Sequence, residues 1–232
     1  MIDAPNWLYP ASRILVFAKA PRAGQVKTRL AKAIGAEEAA RVYGEWLQDA
    51  VVRLHRARVA PIELWVTPDT RHPLFQRLVD TTGIELHTQP NGDLGQRMHQ
   101  VMLHALACCE SAALIGSDCP VMQPDYVQRA LAVMEAGVDT VLGPAEDGGY
   151  VLLGLRKLVA GLFADIPWST GHVLQATRGQ LRAVRRNSWA ELETLWDIDR
   201  VEDYERWRAL QRAVSAEQRK QHNETGEEVR VS

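Results

Sequence analysis

Short apolar runs alternate with longer segments of helical period along most of the chain, and that alternation leaves few folds open. The runs 13–18 (RILVFA), 61–66 (PIELWV), 84–88 (IELHT), 112–116 (AALIG), 138–143 (VDTVLG) and 150–155 (YVLLGL) have the length of buried strands. Between them, Ala39, Tyr43, Trp46, Leu47, Ala50 and Leu54 recur at three- and four-residue steps in 36–57. Leu94, Met98, Val101, Met102, Ala105 and Leu106 do the same in 94–107. This spacing predicts two helices whose apolar stripes, Trp46 and the methionine pair included, face a core. Such alternation is the pattern of an α/β domain with a largely parallel sheet. The linker PAEDGG between the last two runs is too short for a parallel crossover, so those strands either pair antiparallel or part at the loop. Beyond 156 the pattern predicts a helix near 170–180, a strand at 182–188 and a charged helix from about 200. The organisation expected is an N-terminal extension (1–12), one domain (13–219) and a polar, disordered tail (220–232).

Composition narrows the class of partner. A net charge of −2 over 232 residues gives no electrostatic reason to expect nucleic acid or an anionic membrane. A small anionic ligand needs only a local basic pocket. The N-terminus has no cationic head before an apolar core, and no run of about 18 apolar residues occurs, so a cytoplasmic protein is expected. Cys108, Cys109 and Cys119 lack zinc-ligand spacing and read as reduced thiols. His172 has no partner at metal-ligand spacing, so zinc is not expected.

The chemistry-bearing residues fall after the apolar runs. The first run leads into a loop carrying Lys19, Arg22, Lys27 and Arg29. Pro21 and Val26 stand where a P-loop needs glycines, so the loop is not a Walker A motif. Four cations beyond a strand end suit a phosphate-bearing ligand, the alternative being a solvated loop. In LIGSDCP, Asp118 directly follows a strand and could hold Mg²⁺ or Mn²⁺ together with substrate phosphates, or could cap the helix that begins near Gln123. In GPAEDGGY, Asp147 could accept hydrogen bonds from hydroxyls while two glycines let backbone approach a ligand; turn chemistry accounts for the same residues. Asp93 with Gln96 reads as a capping pair, which leaves Arg97 unexplained. In IPWSTGHVL, Ser169 or Thr170 reads as a cap, and Trp168 either packs or offers a stacking surface. Asp197 and Asp199 in LWDIDRVED either complete a metal site with Asp118 or start the last helix.

In order, FAKAPRAGQVKTRL, NGDLGQRM, IGSDCP, GPAEDGGYVLLG, IPWST and WDIDRVEDY resemble a bacterial family of GT-A-type transferases described as selenodomain-associated or arsenosugar-biosynthesis glycosyltransferases, over about residues 13–207. The resemblance implies a single-domain nucleotide-diphospho-sugar transferase fold, a mixed and mainly parallel sheet with helices on both faces. It implies phosphate contacts for Lys19, Arg22, Lys27 and Arg29, and a divalent cation at Asp118. SDCP departs from the Asp-x-Asp motif of many glycosyltransferases, so the second ligand would be Asp199 or Asp197. Asp147 would orient sugar or acceptor hydroxyls, with Asp93, Arg97, Tyr150 and Trp168 also contacting substrate. The expected activity is metal-dependent transfer of a sugar from a nucleoside diphosphate sugar to a small-molecule acceptor. The alternatives are nucleotidyl transfer with release of pyrophosphate, and a non-catalytic nucleotide-binding protein. Removing Lys27 or Arg29 is expected to weaken nucleotide binding and to leave the fold intact.

Overall fold

The first strand, β1 (Ser12–Lys19), is buried on both sides, as a continuous apolar run in a parallel sheet must be. In a computed structural model, which describes residues 6–184 and 187–228 with side chains to residue 216, it is an interior strand of a seven-stranded sheet, third from one edge. After it come α1 (Thr28–Ile34), α2 (Ala36–Arg56), β2 (Ile62–Thr67), α3 (Pro73–Thr82), β3 (Glu85–Thr88), α4 (Leu94–Leu106) and β4 (Ser111–Gly116). The second half holds α5 (Pro124–Glu135), β5 (Thr140–Pro144), β6 (Tyr150–Leu155), α6 (Val173–Ala183), β7 (Trp189–Glu191) and α7 (Val201–Glu228).

The sheet order is β3-β2-β1-β4-β6-β5-β7. The β1–β2, β1–β4, β2–β3 and β5–β7 pairs are parallel, while β6 runs antiparallel to both β4 and β5. The short PAEDGG linker therefore joins an antiparallel pair. From β1 the chain builds outward through β2 to β3, then crosses back to β4 on the other flank of β1. That reversal opens a crevice beyond the carboxyl ends of β1 and β4, where ligands bind in open α/β sheets.

Alternation along β1 assigns the two faces. Ile14 and Val16 pack with Leu47, Phe75 and Tyr126 of α2, α3 and α5, whereas Leu15 packs with Met98, Met102 and Leu181 of α4 and α6. Burying each such side chain contributes about 1.5–3 kcal/mol. A third cluster joins Val26 and Leu30 to Trp46, Trp196, Ile198 and Tyr204, and so fixes the loop after β1 against the segment before α7.

One expectation needs correction. The apolar residues near 181–184 complete the buried face of α6 through Leu181, and the strand predicted at 182–188 is instead β7 at Trp189–Glu191; residues 185 and 186 lie outside the described residues. Helix α7 runs on to Glu228, so the start of the expected tail falls on its last turns; 229–232 lie outside the described residues. The N-terminal extension folds back on the chain, with Leu8 and Tyr9 donating backbone hydrogen bonds to the carbonyls of Arg58 and Val59. No helix among the described residues is long and apolar enough to cross a membrane.

Candidate active-site cleft

The loop after β1 enters α1 through Lys27, which has φ 46° and ψ 44°, a left-handed conformation that costs a residue bearing Cβ. Its side chain is only 6% exposed, and its ammonium donates to Asp118 Oδ2 at 2.9 Å, with Asp199 Oδ1 at 4.0 Å. Arg29 Nη1 lies 2.5 Å from the other oxygen of Asp199. Two cations of the first loop are thus already paired with two of the carboxylates expected to bind metal.

Asp118 turns back at the end of β4. A Cβ on Gly116 would sit 2.8 Å from Asp118 Oδ1, so glycine makes room for the carboxylate. Helix α5 has Gln123 at its cap, which removes the capping account of Asp118. The Asp118 carbonyl accepts from Ile198 N at 3.0 Å, and Cys119 Sγ donates to the Trp196 carbonyl at 3.3 Å. These contacts stitch the strand end to the segment carrying Asp197 and Asp199. Cys119 is buried, and all three cysteines are free. Beside it, Ser117 Oγ shares a 2.7 Å hydrogen bond with Tyr43 OH, which also accepts from Lys19 N at 2.9 Å.

The carboxylates separate electrostatically. Burial pushes Asp118 upward, but the Lys27 ammonium outweighs it and holds the carboxyl below its ordinary range. Burial lowers Lys27, yet Asp118, Asp197 and Asp199 together raise it. At Asp197 the Lys27 charge is outweighed, and burial followed by the charges of Asp118 and Asp147 pushes it up to about 6. The folded state therefore prefers Asp197 protonated and loses stability as pH rises from about 4 to about 6. Asp197→Asn should accordingly gain about 1–2 kcal/mol at pH 7 after allowance for solvent screening, and nothing at pH 4. Urea unfolding at the two pH values measures this; an equal gain at both would contradict it.

The PAEDGG linker forms a tight turn in which Asp147 Oδ1 accepts from Gly149 N at 2.8 Å. Asp147 is exposed to the cleft, so the turn and the functional reading coexist. The Gly148 carbonyl accepts from Leu174 N at 2.9 Å, at the start of α6.

These strand ends and loops enclose one cleft of about 1100 Å³. Of the residues singled out in the sequence, Lys19, Lys27, Arg29, Arg97, Asp118, Asp147, Tyr150, Trp168, Asp197 and Asp199 line it. Arg22 and Asp93 are not on its wall. Arg22 faces Asp69 at 3.8 Å, and Asp93 forms a capping box with Gln96 at the start of α4. Arg97 Nη1 donates to Gln89 Oε1 at 2.9 Å. Trp168 lies against α4, where a Cβ on Gly95 would meet its Nε1 at 2.5 Å. Burial pushes the Tyr150 phenol upward. Tyr43, Ser117, Gln89 and Arg200 also line the cleft and were not assigned from sequence; for Ser117 and Gln89 the available signal was a polar residue just past an apolar run.

Among the described residues, no group of three or more His, Cys, Asp or Glu is placed to hold a metal ion. The donor chemistry at Asp118 and Asp199 still fits a hard cation. Both are carboxylates turned to one point, now held by the Lys27 ammonium, and Mg²⁺ or Mn²⁺ takes one or two carboxylates plus substrate phosphates.

A family model described as "Uncharacterized protein conserved in bacteria (DUF2064)" matches residues 50–170, which include Asp118, Asp147 and Trp168. A protein of Desulfovibrio desulfuricans G20, described as a candidate nucleotide-diphospho-sugar transferase, is 32% identical with a TM-score of 0.75; the match covers 83% of this chain and 84% of that one. A cytidylyltransferase from Leptospira borgpetersenii serovar Hardjo-bovis (strain JB197) is 13% identical, TM-score 0.56, covering 84% of each chain. The 4-diphosphocytidyl-2C-methyl-D-erythritol synthase of Anaerococcus prevotii DSM 20548 is 8% identical, TM-score 0.54, covering 84% of this chain and 94% of that one. The last two likenesses speak to the fold alone. No curated protein matches the sequence.

Proposed function

The chain belongs to the bacterial family DUF2064, and from its cleft we propose that it is a metal-dependent glycosyltransferase that takes a sugar from a nucleoside diphosphate sugar. The observation that carries this reading is the meeting of Lys27 and Arg29 from the β1 end with Asp118 and Asp199 on the facing wall. A diphosphate entering between them gives the two cations a second partner. A divalent cation held by Asp118 with Asp199 or Asp197 would supply charge stabilisation to the leaving diphosphate. Lys27 and Arg29 offset the remaining phosphate charge, and Asp147 orients sugar or acceptor hydroxyls with the carboxylate oxygen not committed to its turn. Tyr150 and Trp168 offer ring faces to the sugar and limit water access. A candidate nucleotide-diphospho-sugar transferase at 32% identity supports the same substrate class.

One observation favours nucleotidyl transfer as a second reading. Asp118 is a lone strand-end aspartate, because Cys119 and Pro120 follow it where many glycosyltransferases carry a second carboxylate. The products separate the two. With Mg²⁺ or Mn²⁺, incubation with nucleoside diphosphate glucoses and hydroxyl-bearing acceptors should release a nucleoside diphosphate, and incubation with nucleoside triphosphates and sugar phosphates should release no pyrophosphate. Pyrophosphate as the only released phosphate would replace sugar transfer by nucleotidyl transfer. Thermal stabilisation by nucleotide without any turnover would leave a binding protein. Asp147→Asn keeps the turn and removes the charge, so turnover should fall about tenfold, the loss of one charge-assisted hydrogen bond, with melting temperature nearly unchanged. Unchanged turnover would reduce Asp147 to a turn residue.

A further inference from the structure

Arg206, in the second turn of α7, joins two segments that both carry cleft carboxylates. Its Nη1 donates to Glu146 Oε2 at 2.8 Å and its Nη2 to Glu146 Oε1 at 3.2 Å, a forked pair. The same guanidinium lies over Trp196, with Cζ 4.3 Å from the ring centre. Glu146 immediately precedes Asp147, and Trp196 immediately precedes Asp197. We propose that Arg206 is a positioning residue that holds the turn bearing Asp147 at a fixed separation from the segment bearing Asp197 and Asp199. The proposal rests on the reading of Asp147 and the 197–199 carboxylates as site residues.

Such a tie is needed because the two segments carry like charge. Asp147 on one segment and Asp197 and Asp199 on the other line the same cleft, which brings like charges into one cavity. Backbone holds the segments together at the Ala145–Leu195 bridge and through Glu146 N, which donates to the Leu195 carbonyl at 2.9 Å. These contacts precede both carboxylates in sequence, and the tie beyond Asp147, from Leu174 N to the Gly148 carbonyl, runs to α6 and not to the 195–199 segment. Arg206 adds an attachment of a different kind, from a third element. That element is itself anchored, since Tyr204 and Trp207 on either side of Arg206 pack on Trp46 of α2 at ring separations of 6.2 and 5.5 Å.

The contact does little for folding. Arg206 and Glu146 are 49% and 52% exposed, and exposed ion pairs contribute little to stability. What a forked, stacked arginine supplies is geometry, and lysine cannot reproduce it.

The test uses Arg206→Ala, Arg206→Lys and Asp147→Asn in the full chain, read by amide hydrogen exchange and by nucleoside diphosphate release from nucleoside diphosphate glucoses. In Arg206→Ala, exchange should rise in 145–149 and 195–199 together, with melting temperature nearly unchanged and kcat down about tenfold, as for a small misplacement of reacting groups. Millimolar guanidinium should restore part of both signals where ammonium at equal ionic strength does not, and Arg206→Lys should recover little. Unchanged exchange in either segment, or equal restoration by ammonium, would overturn the proposal. If Asp147→Asn lowers turnover and Arg206→Ala does not, the positioning role alone falls. If neither variant alters turnover, the reading of the cleft carboxylates falls with it.

Discussion

Asp118→Ala is expected to lose about 3 kcal/mol of folding stability at pH 7, and Lys27→Met about 1 kcal/mol, although the two side chains form one ion pair. The asymmetry follows from burial. The Lys27 side chain is 6% exposed and that of Asp118 is 38% exposed, so removing the aspartate strands an ammonium away from water, whereas removing the lysine leaves a carboxylate that the cleft can hydrate. Asp199, 4.0 Å from the ammonium, softens the first loss without abolishing it. The pair's pH dependence follows from Asp118, whose folded carboxyl titrates below its ordinary range. Its contribution is complete above the unfolded carboxyl's range and disappears as pH falls through the depressed folded value, so the deficit of Asp118→Ala should shrink once pH falls below the ordinary carboxylate range. Urea unfolding of both variants across this range is the measurement, and equal losses at pH 7 would show that the ammonium is not buried in solution. Asp118→Asn should also abolish the enhancement of nucleotide binding by Mn²⁺ while metal-free binding falls much less. Equal enhancement in wild type and variant would remove Asp118 from the cation site.

The buried ion pair adds a modest stability cost to the expectation that Lys27 can be removed with the fold intact. The strand-end position of Lys27 and Asp118 was legible because charged loops after apolar runs stand out in sequence. Their pairing was not, because they are 91 residues apart and meet only through the crossover that places β4 beside β1. Arg29 and Asp199 are 170 residues apart, and Arg206 and Glu146 are 60 apart. Local pattern carries no information at those separations. It served well where one element decides the outcome, as in the apolar stripes of α2 and α4 and the capping box at Asp93. It failed at residues 182–188, where Arg182 and Ala183 end α6 and the strand begins only at Trp189. Tyr43 was read as one position on a helical stripe, yet its hydroxyl reaches past the core to Ser117 and the end of β1.

Gly148→Ala is expected to destabilise the protein by about 2–4 kcal/mol, and to lower turnover at least a hundredfold once a donor is known. Two separate effects act at this position. Gly148 has φ +88°, a conformation that costs an alanine about 1–2 kcal/mol. An added Cβ would also fall 2.1 Å from the Gly171 carbonyl oxygen, which is backbone and cannot rotate aside. The overlap forces the turn bearing Asp147 away from the 168–171 segment that brings Trp168, Ser169 and Thr170 into the cleft. The hydrogen bond from Leu174 N to the Gly148 carbonyl stretches with it, loosening the start of α6. Gly24 provides the control, since it too has positive φ, at +76°, but nothing lies within 4 Å of a Cβ built there. Gly24→Ala should therefore show only the conformational cost, about 1 kcal/mol. Equal destabilisation of the two variants would mean that the turn and the 168–171 segment are not in contact, and Asp147 would then lack the close packing that fixes it in the cleft.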